Sequence, residues 1–351
     1  MTIIFQDKII YLPYLPPFAR SEKTDDYAAL CRPVQWEQQI ITSLDGTKLA
    51  ICAGSIARGS IGSASHVNVT HAKASCRLST GNDQLPHNKK RRVVICYFQG
   101  NGGSTPPRLP LLSNVLKHLH TIVEGAHLDV EFTIIALSYR GYWKSSGRAS
   151  QIGIEQDAQA LLHHVVVQYG GNTDVDLQIV LWGQSIGAGI ALTAASTYLP
   201  STTTLTGPTG GNAAVKMPLL ILETPFTSIK AMLLTLYPQK WLPYQYLWPF
   251  LWNHWDSEMG LRNLATVVSK HKPEILFIGA TRDEVVPAGE ANRLEEVSRE
   301  VGLVTHRRDV IGALHTDATI RTEGRKIVCD SIMAAVCGVI NGSKENRWQS
   351  R

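Results

Sequence analysis

The sequence predicts an α/β fold built on a mostly parallel central sheet with helices on both faces. Three observations carry that reading. Short, nearly continuous apolar runs recur along the chain, segments with helical spacing separate them, and one run, "QIVLW" at 178–182, gives way abruptly to the small residues of "GQSIGAG". Continuous apolar character marks strands covered on both faces, because a half-exposed strand would alternate.

The elements follow in order. Residues 34–41 ("VQWEQQII") and 47–53 ("TKLAICA") flank an Asp45–Gly46 turn signal and read as an antiparallel hairpin. "VVICYF" (93–98), "FTIIALS" (132–138), "QIVLW" (178–182), "LLIL" (219–222) and "EILFIG" (274–279) are the buried strands, with a last strand at 303–310. Helical spacing fills the gaps in "LPLLSNVLKHLH" before residue 121, from Gly153 to Tyr169, after Ser185, and near the end of the chain. Repeated strand, helix and strand imply right-handed crossovers between parallel strands.

One domain is expected over residues 34–340, preceded by a segment at 1–33 and followed by a polar tail at 341–351. Within it, 54–90 and 200–217 are polar and turn-forming and read as surface insertions; the basic run Lys89–Arg92 reads as a solvated loop end. Residues 225–260 form a short aromatic cap of a different kind. Trp241, Trp248, Trp252 and Trp255 stand there with Tyr237, Tyr244, Tyr246 and Phe250, punctuated by prolines. Amphipathic rings of this sort suit a core patch, a lid over an apolar pocket, or a membrane interface.

Composition sets bounds. At 351 residues, 44% of them apolar and 18% charged, the chain is neither disordered nor fibrous. A net charge of +5 permits contact with an anionic surface without requiring it, and no nucleic-acid partner is expected. Cys31, Cys52, Cys76, Cys96, Cys329 and Cys337 form no C-x-x-C pairs, so they read as mostly buried thiols of a reducing compartment. Gln6, Asp7 and Lys8 interrupt the apolar opening, which leaves neither a signal-peptide core nor a membrane span. An intracellular protein is expected, cytoplasmic or peripheral to an internal membrane. The acceptor triplets at Asn68 and Asn341 would matter only in a secreted protein.

The chemistry begins at Gly183-Gln184-Ser185-Ile186-Gly187, a G-x-S-x-G pattern at a strand-to-helix corner. A corner this tight strains the serine backbone and lifts its hydroxyl above the sheet, and a Cβ at 183 or 187 would strike neighbouring backbone. Free amides and the positive end of the helix dipole then lie beside a developing oxyanion. A serine hydroxyl needs a histidine base and an orienting acid, which follow the serine in the order acid, then histidine. "LFIGATRDEVVPAG" supplies Asp283 beyond one strand and "RRDVIGALHTDATI" supplies His315 beyond the next. Glu284 adjoins Asp283, and Glu223 is the second choice of acid. For the oxyanion, the Ile186 amide needs a partner from "YFQGNGGS", where Asn101 N–H is favoured and Gly102 is next.

Several stretches carry a family resemblance. "YFQGNGG", "LSYRGYWKSSG", "GQSIGAG", "LILETPFTSI", "LFIGATRDEVVP" and "LHTD", in this order over residues 93–317, resemble serine hydrolases of the α/β-hydrolase fold. They are similar in particular to the fungal bud-emergence group and the animal α/β-hydrolase-domain proteins related to it. The resemblance implies Ser185 as nucleophile, Asp283 as acid and His315 as base, with the oxyanion loop at Gly100–Gly102. It also implies Gly100, Gly102, Gln184 and Phe226 as substrate-binding residues, with no metal or organic cofactor. Three positions depart from the family pattern: Gln99 replaces a usual histidine, Trp143 a usual glycine, and Leu314 an often acidic residue. Gln99 can keep a loop-holding hydrogen bond. Trp143 fits poorly wherever a positive φ is needed, and closing the pocket is its alternative role.

The resulting expectation is a serine hydrolase acting on an ester or thioester, an acyl lipid or S-acylated protein, with peripheral membrane contact compatible with the aromatic cap. A serine peptidase, or a noncatalytic membrane or polarity scaffold on the same fold, is the alternative.

Overall fold

A computed structural model describes residues 6–57, 90–170, 175–201, 215–236, 248–267 and 272–337. The glycosylation triplets at Asn68 and Asn341, Cys76, the polar tail, most of both insertions, and Tyr237, Trp241, Tyr244 and Tyr246 of the cap lie outside these residues.

Eight strands form one sheet in the order β1-β2-β4-β3-β5-β6-β7-β8. They are β1 Gln35–Thr42, β2 Lys48–Ser55, β3 Lys90–Phe98, β4 Val130–Leu137, β5 Val175–Gln184, β6 Lys216–Glu223, β7 Glu274–Ala280 and β8 Thr305–Val310. β1 and β2 form the expected hairpin, turning at Gly46 with φ 86°, and β2 also runs antiparallel to β4. Every other pairing is parallel.

The parallel strands bury side chains on both faces because the pleat sends successive residues to opposite sides. Along β3, Val94, Cys96 and Phe98 join one apolar cluster, whereas Val93, Ile95 and Tyr97 join another. Among the helices, α1 (Gln6–Ile10) and α2 (Ala28–Cys31) precede the sheet; α3 (Leu109–Gly125) and α9 (Thr322–Cys337) pack together over the second cluster. Between them in sequence come α4 (Gln151–Gly170), α5 (Ile186–Ser201), α6 (Ile229–Leu236), α7 (Ser257–Thr266) and α8 (Ala288–Glu300). α4, α5, α7 and α8 contact one another in series over the first cluster.

Two expectations change. The basic run is not a loop end: Lys90, Arg91 and Arg92 open β3, and Arg91 Nε lies 3.6 Å from Asp176 and Arg92 Nη2 3.6 Å from Glu131 on the flanking strands. Cross-strand carboxylates let the ladder extend through cationic residues. Trp143 does not close a pocket. It adopts φ 40° and is buried against Cys31, Ala50, Cys52 and Leu109, its Nε1 donating to Glu22 O at 2.8 Å. A glycine would reach that backbone conformation without strain; here the buried ring and its hydrogen bond offset it.

Cys31, Cys52, Cys96 and Cys329 are buried free thiols, and burial pushes Cys52 and Cys329 up to about 12, which keeps them protonated and unreactive. Among the described residues no helix is long and apolar enough to cross a membrane, and no cluster of His, Cys, Asp or Glu is arranged to hold a metal ion.

Candidate active site

The ends of β5, β6, β7 and β8 meet at one edge of the sheet, and the candidate residues stand there. Gln184, Glu223 and Ile278 are aligned across β5, β6 and β7, so Ser185 and Thr224 leave the sheet side by side. Both take left-handed backbone conformations, φ 54° at Ser185 and φ 44° at Thr224. Strain of this kind costs about 1–3 kcal/mol per residue and persists only where the surroundings enforce it.

The enforcement at Ser185 is visible in its two glycines. A Cβ on Gly183 would lie 2.1 Å from Gly187 O, and one on Gly187 would lie 2.1 Å from Phe98 O. Both obstacles are backbone, so neither can move aside cheaply. Ser185 N donates to Glu223 O at 2.8 Å, Thr224 N to Ile278 O at 2.8 Å, and Thr224 Oγ1 to the carbonyl of His315 at 3.4 Å. The backbones at 185 and 315 therefore rest on two consecutive residues, 223 and 224.

His315 is buried, and its Nδ1 lies 2.9 Å from Asp283 Oδ2 and 3.1 Å from Oδ1. A carboxylate accepts only, so the contact assigns the proton to Nδ1 and leaves Nε2 as the basic nitrogen. The Asp283 carboxylate is anchored in turn by Val285 N at 2.9 Å and Val286 N at 2.7 Å. Burial raises the Asp283 pKa, but the hydrogen bonds from His315 and these amides outweigh it and hold the carboxyl below its ordinary value. Glu284 takes a different part: its carboxylate accepts from His315 N at 3.0 Å.

A lowered folded-state pKa adds stability that is present above the unfolded value near pH 4 and lost as pH falls through the folded value. Asp283→Asn is therefore expected to be less stable than wild type at pH 7, with the deficit closing below about pH 4. Urea unfolding across that range measures it. A deficit constant down to pH 2 would refute the assignment.

Glu223 does not compete for the imidazole. Fully buried beneath the corner, it accepts from Trp182 Nε1 at 3.0 Å, Gln184 Nε2 at 3.3 Å, Thr319 Oγ1 at 2.7 Å and Thr319 N at 3.3 Å. Burial pushes its carboxyl upward despite these donors. It ties β5 and β6 to the loop that follows His315, a structural role that a single acidic residue in the sequence does not announce. Gln184 is likewise turned inward, accepting from Tyr97 Oη at 3.3 Å, and Phe226 belongs to the apolar core, so neither presents its side chain to an open site. The nucleophile candidate stands apart in one respect: among the described residues Ser185 Oγ has no hydrogen-bond partner, and the relay to His315 Nε2 is not closed.

The candidate oxyanion loop runs against the serine, since a Cβ on Gly100 would lie 3.6 Å from Ser185 Cβ. Gly102 N already donates to Asn101 Oδ1 at 2.9 Å, and Gly103 N donates to Leu15 O. The backbone amides of Asn101 and Ile186 have no acceptor among the described residues, which leaves them available. Gln99 O accepts from Tyr139 Oη at 2.7 Å, but that is the backbone carbonyl. The side chain accepts only a long bond from Thr105 Oγ1 at 3.4 Å, and its buried Nε2 has no partner among the described residues, so the amide holds the loop less than expected. In the aromatic segment at 225–260, Trp255 is buried, whereas Phe250 and Trp252 are 55% and 60% exposed, so one segment contributes to both core and surface.

These features define an α/β-hydrolase fold, and known structures share it. An esterase of Pyrococcus furiosus superposes with a TM-score of 0.53 at 15% identity, covering 93% of this chain and 98% of that one. An esterase of Pyrobaculum calidifontis gives 0.53 at 12% identity over 96% of each chain. Identities this low establish the fold alone. Among curated proteins, the chain is homologous to the α/β-hydrolase-domain-containing protein WAV2 of Arabidopsis thaliana, at 27% identity over 82% of this chain and 73% of that protein. It is also homologous to bem46 of Schizosaccharomyces pombe, at 28% identity over 56% of this chain and 53% of that protein. No family model matches the chain.

Proposed function

We propose that the protein is a serine hydrolase that cleaves a carboxylic ester or thioester through an acyl-enzyme on Ser185. The observation that carries this reading is the buried pair of His315 Nδ1 and Asp283, 2.9 Å apart at the sheet edge where the serine turns. For the relay to close in a substrate complex, the Ser185 hydroxyl must reach His315 Nε2, as catalytic hydrogen bonds form fully only on binding. The serine oxygen then attacks the carbonyl carbon as its proton passes to His315. The carbonyl oxygen gains the negative charge and receives the Asn101 and Ile186 amides. Collapse expels the alcohol or thiol, which takes the proton from His315, and water repeats the sequence to release the acid.

Acylated lipids or S-acylated proteins fit the reading best, supported by the exposed Phe250 and Trp252, which offer apolar surface to an acyl chain and to a membrane interface. Rates on p-nitrophenyl esters are expected to rise with acyl length, and a maximum at acetate would count against a lipid substrate. An aminopeptidase substrate in the same panel tests peptidase activity. The unpartnered Ser185 Oγ favours one other reading, a noncatalytic scaffold. A fluorophosphonate probe that labels wild type but not Ser185→Ala supports catalysis; a folded wild type that resists labelling supports the scaffold.

A further inference from the structure

The oxyanion loop is poorly equipped to hold its own shape. Gly102 and Gly103 both stand at φ 78°, and Gly100 precedes them, so the loop carries little intrinsic preference for one conformation. What fixes it comes from elsewhere in the chain. Asn101 Oδ1 accepts from Leu12 N at 3.1 Å, from Gly102 N at 2.9 Å and from Tyr142 Oη at 2.9 Å, while its Nδ2 donates to Ile10 O. Oδ1 is taken up and Nδ2 is tied to Ile10, whereas the backbone N–H of Asn101 has no acceptor among the described residues and can be offered to a substrate. Leu15 O accepts from Gly103 N, and Glu22 accepts from Ser104 Oγ, so residues 10–22 grip both sides of the loop.

The same segment is fastened at each end. At the cap, Trp252 N donates to Gln6 Oε1 at 2.7 Å, Asn253 Nδ2 to Asp7 Oδ1 at 2.6 Å, and Tyr11 Oη to Asn253 Oδ1 at 2.9 Å. Trp255 Nε1 completes the junction, donating to Tyr11 Oη at 2.9 Å. At the other end Arg20 Nε donates to Trp143 O at 2.9 Å.

We propose that residues 6–22 are a positioning strap, which joins the aromatic cap to the oxyanion loop and, through the side chain of Asn101, sets the loop amide for the developing oxyanion. The strap touches no reacting atom. Its contribution therefore appears in the chemical step rather than in substrate binding, because a loop displaced by about 1 Å loses the alignment on which the donor depends. The proposal rests on the serine hydrolase reading.

The test compares the full chain with a variant lacking residues 1–12 and with Tyr142→Phe, which keeps the buried ring and removes one donor to Asn101. The deletion is expected to lower kcat on a short p-nitrophenyl ester about 10- to 100-fold, with KM within about threefold, and to slow fluorophosphonate labelling in parallel. A synthetic peptide of residues 1–15 should restore part of the rate when added back. Tyr142→Phe should lower kcat severalfold, and should have no further effect in the deletion if both act through Asn101. A folded deletion variant with wild-type kcat overturns the strap, as does a kcat that rises, which would make the segment inhibitory. If the deletion does not fold, Asn101→Ala decides, since it keeps the backbone N–H and removes the side chain that the strap holds: unchanged kcat overturns the proposal. A wild type that neither turns over ester nor takes the probe removes the hydrolase reading and the strap with it, an outcome distinct from an active wild type matched by its variants.

Discussion

Replacing Ser185 by alanine is expected to lower kcat for ester hydrolysis by about 10⁴- to 10⁶-fold and to abolish fluorophosphonate labelling. The fold should survive, because alanine retains the Cβ and Ser185 Oγ makes no hydrogen bond whose loss would be felt among the described residues. The strained φ of 54° persists as well, since Gly183, Gly187 and the bond from Ser185 N to Glu223 O impose it and all remain. The comparison is therefore clean, with circular dichroism as the control for folding. Activity above a tenth of wild type would remove Ser185 as nucleophile, whatever the corner looks like. His315→Ala is expected to fall in the same range, and Asp283→Asn by about 10⁴-fold, because an amide no longer fixes the imidazole tautomer.

The second large effect is on stability. Gly187→Ala puts a methyl group 2.1 Å from Phe98 O, at the end of the strand that leads into the loop at Gly100–Gly102. Neither backbone can yield without moving β3 or the start of α5, so a loss of about 3 kcal/mol or more is expected on urea unfolding. Gly289→Ala is the matched control. It lies in α8, where an added Cβ meets nothing within 4 Å, and should gain about 0.4–1 kcal/mol by restricting the unfolded chain. Equal responses at the two glycines would mean that the corner tolerates a side chain and that its glycines are not sterically required.

Much of this was legible in residue order. The hairpin around Gly46, the five buried parallel runs and the last strand each announce themselves by local apolar pattern and turn chemistry, which act over a few residues. The serine corner is legible for a similar reason: its glycines, strand and helix are contiguous. Spacing and order also single out Asp283 and His315. The basic residues at 90–92 read differently because the carboxylates that accommodate them, Glu131 and Asp176, sit on other strands. Trp143 misleads likewise, since nothing near it in sequence discloses the cluster of Cys31, Ala50, Cys52 and Leu109 that buries it.

The sequence by itself determined the fold class, the strained corner at Ser185 and the chain order of the three candidate residues, because each depends on short-range sterics or on the end of a strand. Only the tertiary structure decided that Asp283 rather than Glu223 faces the imidazole, that Gln184 turns inward, and that the amino-terminal segment crosses the candidate oxyanion loop. Those outcomes depend on hydrogen bonds such as the one between Leu12 and Asn101, 89 positions apart in the chain. Such a partner is chosen by where folded elements bring polar groups within about 3 Å, and no local pattern encodes that meeting.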